Sequence, residues 1–264
     1  MMISKVREWL ETQGFPLEMR SAAAFRMAGF EVAQSAYYVD PETGKAREID
    51  VIARDPDHLG VLNIGFIVEC KSSSKPWVLL CSPDTLVGYN RAFAFAALSD
   101  KAKDALLDRL VDMLPRFSWL RKDGLTGYAL RQAFSDADSA YAAAISVAKA
   151  CDGFVRECDG KYRALAFAFP VIVVDGPLVR CLLSDKGDIV LEEAEQGEFL
   201  FTGRLLHYFG TCIFGTCIKV VTSSCLAKFT TEAREVASQL RSELKSVEIE
   251  IVESWRRLGD RNSH

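Results

Sequence analysis

Apolar positions recur at helical spacing from Ser4 to Gln13 and again from Leu17 to Ala28, after Gly14-Phe15-Pro16 and before a stop at Gly29. Phe30 to Asp40 reads as a strand, Pro41-Glu42-Thr43-Gly44 as a turn, and Lys45 to Arg54 as the partner strand of a hairpin. A loop from Asp55 to Gly60 precedes a third strand, Val61 to Lys71. Helical patterns then dominate, over Asp84 to Leu98, Lys101 to Met113 and Gly127 to Cys158. Strands return at Ala164–Val174, Leu178–Leu183, Ile189–Ala194 and Thr211–Thr222. Thr231 to Leu244 is helical, and the charged end from Trp255 to His264 is expected to fray. This order, with no low-complexity linker, predicts an α/β fold: a mixed sheet covered by helices.

Two of these strands carry charge where a sheet interior should be apolar. Asp50 stands in Glu48-Ile49-Asp50-Val51-Ile52, and Glu69 and Lys71 close Phe66-Ile67-Val68-Glu69-Cys70-Lys71. Residues two apart share a strand face, so Glu69 and Lys71 point together while Val68 and Cys70 point away. If the strands are neighbours, Asp50 stands beside Glu69. Two adjacent carboxylates raise one another's pKa unless a cation lies between them. Their hard oxygens suit Mg²⁺ or Mn²⁺, with the backbone carbonyl of Cys70 as a further ligand. A lysine at such a pair can orient a water or stabilise charge on a phosphate.

Acid-x-Lys also occurs at Asp159-Gly160-Lys161, in a glycine turn, and at Glu243-Leu244-Lys245, in a helix where alternate residues diverge. Only the first copy has a strand context and an upstream acid in another strand. Two readings of it stay open: a solvated ion pair on an edge strand, or a cation-binding hydrolytic site, which the upstream acid favours.

The arrangement Asp50-x18-Glu69-x-Lys71 on successive strands, behind an N-terminal helix bearing a glutamate, resembles the PD-(D/E)XK superfamily of restriction-endonuclease-like nucleases. Ile49 stands where the family's name has proline. The resemblance implies an αβββαβ core, a mixed sheet flanked by helices, and metal-dependent phosphodiester hydrolysis. Asp50 and Glu69 match the metal-binding acids, Lys71 the lysine, and Glu18 the acid of the first helix, with Glu48 a lower-ranked substitute ligand. Residues 1–175 would form this core, with a helical insertion around 84–158, and 176–264 a strand-and-helix extension of the same domain. The expected substrate is nucleic acid, DNA ahead of RNA. The rival is a catalytically inactive scaffold that binds nucleic acid or protein.

Composition limits the partners. The 264 residues are 49% hydrophobic and 26% charged, with net charge −4. Up to residue 125 there are 16 Lys+Arg against 17 Asp+Glu, and beyond it 16 against 19, so neither half is a basic module. Contacts with nucleic acid must come from local cations. Lys75, Trp77, the stretch Arg116 to Lys122, and Gln132 in the helix beginning near Gly127 are the candidates, each with an ordinary structural role as the alternative. The 11-residue apolar run Ala164–Val174 is too short to span a membrane. The N-terminus lacks a secretory pattern, and eight cysteines without a CxxC pair read as reduced thiols in a cytoplasmic protein. Cys212 and Cys217, five apart on a strand, would face opposite ways. The three histidines give little material for a histidine-based site. A homo-oligomer or protein partner stays open.

Overall fold

The computed structural model describes residues 2–89, 91–113, 116–120, 125–158, 165–202 and 215–261. Two helices open the chain, α1 (Met2–Thr12) and α2 (Phe15–Met27), followed by β1 (Glu31–Val39), β2 (Ala46–Arg54) and β3 (Leu62–Ser72). After β4 (Trp77–Cys81), α3 (Arg91–Ala94), β5 (Ala97–Leu98), α4 (Asp100–Leu107), α5 (Leu110–Met113) and β6 (Gly127–Gln132) comes the long α6 (Ser139–Arg156). The remainder is β7 (Leu165–Asp175), β8 (Leu178–Leu183), β9 (Ile189–Ala194), β10 (Gln196–Phe201), β11 (Thr216–Thr222), α7 (Leu226–Glu243) and α8 (Lys245–Arg261). The eleven strands of the described residues belong to one mixed sheet, ordered β1-β2-β3-β7-β11-β10-β6-β4-β8-β9 with β5 beside β7, so strands from before and after residue 175 share it.

Its centre is the parallel pair β3–β7, in register from Leu62↔Leu165 to Ser72↔Asp175. Both strands are near-continuous apolar runs, as a sheet covered on both faces requires. Ile64, Phe66 and Val68, with Phe167 and Phe169, pack under α2 and α7 through Leu17, Phe25, Phe229 and Leu240. Ile67, Ala168, Ile172 and Val174 face α6 through Ala143, Val147, Ala150 and Phe154. Pro170 has no N–H to donate and falls where the second neighbour of β7 changes, β5 pairing through Ala168 and β11 from Val171.

Beyond Ser72 and Asp175 the two central strands turn together. Four residues carry β3 into β4, two carry β7 into β8, and the parallel pairing resumes at Trp77↔Leu178. The N–H of Trp77 donates to Pro177 O at 2.8 Å across this bend. Gly176 has φ +115°, and a Cβ there would stand 2.5 Å from Ser73 O, so the turn needs glycine. β4 then pairs with β6, β6 with β10 and β10 with β11, which returns the sheet to β7.

Several expectations are corrected. Asp84–Leu98 is mainly turns with the short α3 and β5, and Gly127–Gln132 is a strand, so 84–158 is not a helical insertion. No glycine or proline separates Gln132 from Ser139, so the stretch 127–158 reads as one helical run despite Ser135-Asp136-Ala137-Asp138-Ser139 at the junction. The helix starts only where the Asp138 side chain accepts the Tyr141 N–H as an N-cap. At Gly127 an added Cβ would meet Leu79 at 2.8 Å, because β6 lies tight against β4. The strands β4 and β10 are short; β4 pairs with β6 and β8, and β10 with β6 and the following β11, and neither was expected from the sequence. α7 begins at Leu226, and α8 continues to Arg261 because Ile251, Val252 and Trp255 pack on the core. The expected strand Thr211–Thr222 is seen from Thr216, its first residues lying outside those described, as does Cys212. Among the described residues no helix is long and apolar enough to cross a membrane, and the described cysteines are free thiols.

Gly176→Ala should lower stability by about 1–3 kcal/mol, because its new methyl meets a backbone oxygen that cannot rotate away. Thermal melting beside Gly187→Ala, a positive-φ glycine with open space around it, isolates the steric part. Equal losses would remove the close approach at the bend as the cause.

Candidate active site

The pairing of β2 with β3 runs from Arg54↔Gly65 to Val51↔Val68 and goes no further. At that point β2 rolls over. Val51 and Ala53 pack under α2 and α7, whereas Ile49, of the same strand parity, packs on the α6 side. Directly across, Ser35 takes φ +47°, and the β1–β2 register skips the Ser35–Asp50 position. Asp50 sits at the roll. Its carboxylate accepts the backbone N–H of Cys70 at 2.6 Å, filling the place of the missing ladder bond. In an extended strand the N–H and C=O of one residue face the same neighbour, so the Cys70 carbonyl looks into the same gap.

Glu69, buried at 8% exposure, is held at both oxygens. Lys71 Nζ donates to Oε1 at 2.6 Å, and Ser146 Oγ, from α6, donates to Oε2 at 2.8 Å. Glu18 arrives from the opposite side. Gly14, at the start of α2, lies beside Ser72 at the end of β3, which places the first turn of α2 over the gap. Burial, then Glu48 and Glu69, push the Glu18 carboxyl up, with Lys71 opposing. Burial, then Glu69 and Glu18, push the Asp50 carboxyl up to about 7, against the Cys70 N–H and Lys71.

The structure thus brings Glu18, Asp50, Glu69 and Lys71 together, with exposed Glu48 at the margin. Lys75 is exposed beyond β3 and donates to Phe134 O at 2.6 Å. Gln132 lies on β6, not on a helix, and its Oε1 accepts from Ser139 Oγ at 3.1 Å, two helical turns along α6 from Ser146. Neither hydrogen-bonds the carboxylates. Trp77, Phe117 and Trp119 are buried core, so none is free to stack on a base. Arg116 bonds Glu243, while Arg121 and Lys122 lie outside the described residues. Of the histidines, His58 is exposed and His207 and His264 lie outside that set. Ser146 and Ser21 also belong to the site although no motif marks them; the Ser21 hydroxyl accepts the Cys70 thiol at 3.5 Å. A hydroxyl in the alanine-rich inner face of α6 was the available signal.

Other buried carboxylates here are matched by cations. Asp40 bonds Lys149, Asp55 bonds Arg234 and Arg241, and Glu198 bonds Arg91 and Lys219. Despite burial, those two cations hold the Glu198 carboxyl down at about 2. At the β2–β3 gap, among the described residues, Glu18, Asp50 and Glu69 lie around Lys71, with Glu48 at the margin. Among the described residues no three His, Cys, Asp or Glu side chains stand close enough to form a ready metal shell. The donor set still fits a hard divalent cation: the acids facing the gap are oxygen donors short of positive charge, beside a backbone carbonyl freed from the ladder. Compared with known protein families, curated proteins and solved structures, the chain matches none.

A carboxyl raised in the folded state costs stability above its folded pKa and none below its unfolded one. Without divalent ions, Asp50→Asn, whose amide oxygen can still accept from Cys70, should therefore be more stable than wild type at pH 8. The gain should be roughly 1–3 kcal/mol, reduced from the ~4 of the full shift because the group keeps some solvent contact. It should shrink as pH falls through 7 towards 4. Chemical denaturation at pH 5 and 8 checks this; a pH-independent difference would contradict the shift.

Proposed function

We propose that the protein is a divalent-metal-dependent nuclease that hydrolyses phosphodiester bonds, in DNA ahead of RNA. The observation that carries this reading is the cluster of under-compensated carboxylates at the broken β2–β3 ladder, with a lysine on the same strand face. The elements α2, β1, β2, β3, α6 and β7, with β4, α3, β5, α4, α5 and β6 intervening between β3 and α6, occur in the order of the αβββαβ sequence of restriction-endonuclease-like folds, which supports it further. Perturbed carboxyls in a cleft are where hydrolytic chemistry is usually built.

In this reading Asp50 and Glu69 hold Mg²⁺ or Mn²⁺, with the Cys70 carbonyl as a third oxygen. The bound ion supplies charge neutralisation at a phosphate oxygen. Lys71 reaches the same space from the face of Glu69, where its ammonium orients the attacking water or stabilises charge on the phosphate. Glu18, from the α2 side, positions a water or a further cation. Lys75 offers a cation for the backbone of the nucleic acid.

A catalytically silent scaffold that binds nucleic acid or protein is the second reading. The net charge of −4 favours it, as does the engagement of both Glu69 oxygens within the protein.

Mixed DNA and RNA substrates incubated with Mg²⁺ or Mn²⁺, beside Mn²⁺ calorimetry, separate the two. Wild type should take up metal and release products. Asp50→Asn should lose both while staying folded. Lys71→Ala should keep Mn²⁺ yet lose about 10²–10³-fold in turnover, the usual loss when a charge-stabilising donor is removed. A wild type that takes up no Mn²⁺ and cuts neither substrate would refute the nuclease reading.

A further inference from the structure

We infer that Ser146 is a positioning residue which fixes one oxygen of Glu69, so that a divalent cation enters at the other oxygen by displacing Lys71. This rests on the metal-binding reading of Asp50 and Glu69 given above and adds a residue and an order of events to it.

The two partners of Glu69 differ in kind. Ser146 Oγ reaches Oε2 at 2.8 Å from the rigid middle of α6, an 18-residue helix packed along its length against the sheet. The Ser146 carbonyl is approached in turn by the hydroxyl of Tyr38, at 3.5 Å, and Tyr38 is buried at 5% exposure. The serine side chain is short and can deliver its hydroxyl to few places. Lys71 is long, partly exposed, and contacts Oε1 through a flexible stem, at 2.6 Å. Its ammonium is a single charge on an oxygen that a divalent ion would attract more strongly. When a cation competes for Glu69, Lys71 is the partner that yields, since its departure exposes an ammonium to solvent. Loss of Ser146 would instead leave a buried carboxylate oxygen without a donor.

This division of labour gives Lys71 two positions. On Glu69 it stands in for the missing positive charge. Released, it remains on the same strand face as Glu69 and within reach of whatever the cation binds. The lysine therefore becomes available to the substrate only when the ion is in place. Ser146 keeps the Glu69 carboxylate from following the ammonium outward.

Mn²⁺ calorimetry on wild type, Ser146→Ala, Ser146→Thr and Lys71→Met tests this without relying on turnover. Ser146→Ala should weaken Mn²⁺ binding by about tenfold, as loss of an outer partner of a metal ligand does. Ser146→Thr, which keeps the hydroxyl, should restore affinity to within about threefold of wild type. Lys71→Met, which keeps length but removes the competing charge, should tighten binding several-fold. Thermal melting without metal identifies any variant that loses the fold, and Lys71→Met keeps the exchange testable if a Ser146 variant does. Equal Mn²⁺ affinity of folded Ser146→Ala and wild type would overturn the positioning role. Unchanged or weaker binding by Lys71→Met would overturn the exchange. A wild type that binds no Mn²⁺ would instead strike the underlying metal reading, a distinguishable failure.

Discussion

The hydrogen bond from the Cys70 N–H to the Asp50 carboxylate is the constraint on which the rest of the site depends. A strand buried on both faces cannot leave an N–H unpaired, and β2 rolls away at Asp50, one residue before Val51, so the ladder to β3 stops short of Cys70. A side-chain acceptor solves the problem locally. The solution places a carboxylate inside the sheet edge, where burial and two neighbouring acids oppose its charge. It also frees the carbonyl of Cys70 towards the same gap and leaves Glu69 facing it on the α6 side. One backbone requirement thus assembles the carboxylate pair.

Such a gap would close or fray unless β2 were held on either side of it, and buried ion pairs do this. At the hairpin end, Asp40 bonds Lys149 of α6 at 3.0 Å and accepts the N–H groups of Glu42 and Thr43 within the turn. At the other end, Asp55 is gripped by Arg234 and Arg241 of α7. Arg241 also reaches Asp57 and Glu248, joining the loop after β2 to α8. In both clamps a buried carboxylate meets cations. The contrast with Asp50, whose direct partner is an N–H and whose neighbours are acids, marks the gap as the place where the fold tolerates uncompensated charge instead of removing it.

Sequence reading was most reliable where pattern and local geometry coincide. β1, β2, β3 and α2 came within a residue or two of their observed bounds because turn residues and Gly29 punctuate them. The parity of Glu69 and Lys71 also followed from strand periodicity, whereas the place of Asp50 beside Glu69 depended on the two strands being neighbours, as they are. What could not be read depends on partners far along the chain. β6 leads into α6 with no glycine or proline between them, and its strand form is imposed by β4 and β10. β4 is a strand because β3 and β7 bend together at Gly176, a relation between residues a hundred positions apart. Ser146 was invisible for the same reason, since a serine on an apolar helix face gains its role only from the carboxylate opposite.

The acidic character of the chain has a consequence for the order of binding. A protein of net charge −4 supplies no broad field to draw in a polyanion, and among the described residues Glu18, Asp50 and Glu69 gather at the gap around Lys71, with Glu48 at its margin. A phosphodiester brought to that surface before any cation would face repulsion at short range, where ionic screening is weakest. It would also find the one ammonium already spent on Glu69. In the nuclease reading the cation therefore has to precede the phosphate: it neutralises the acids, and through its claim on Glu69 it releases the lysine. In that reading the positive charge that a phosphodiester meets would come from the ion and from exposed side chains such as Lys75.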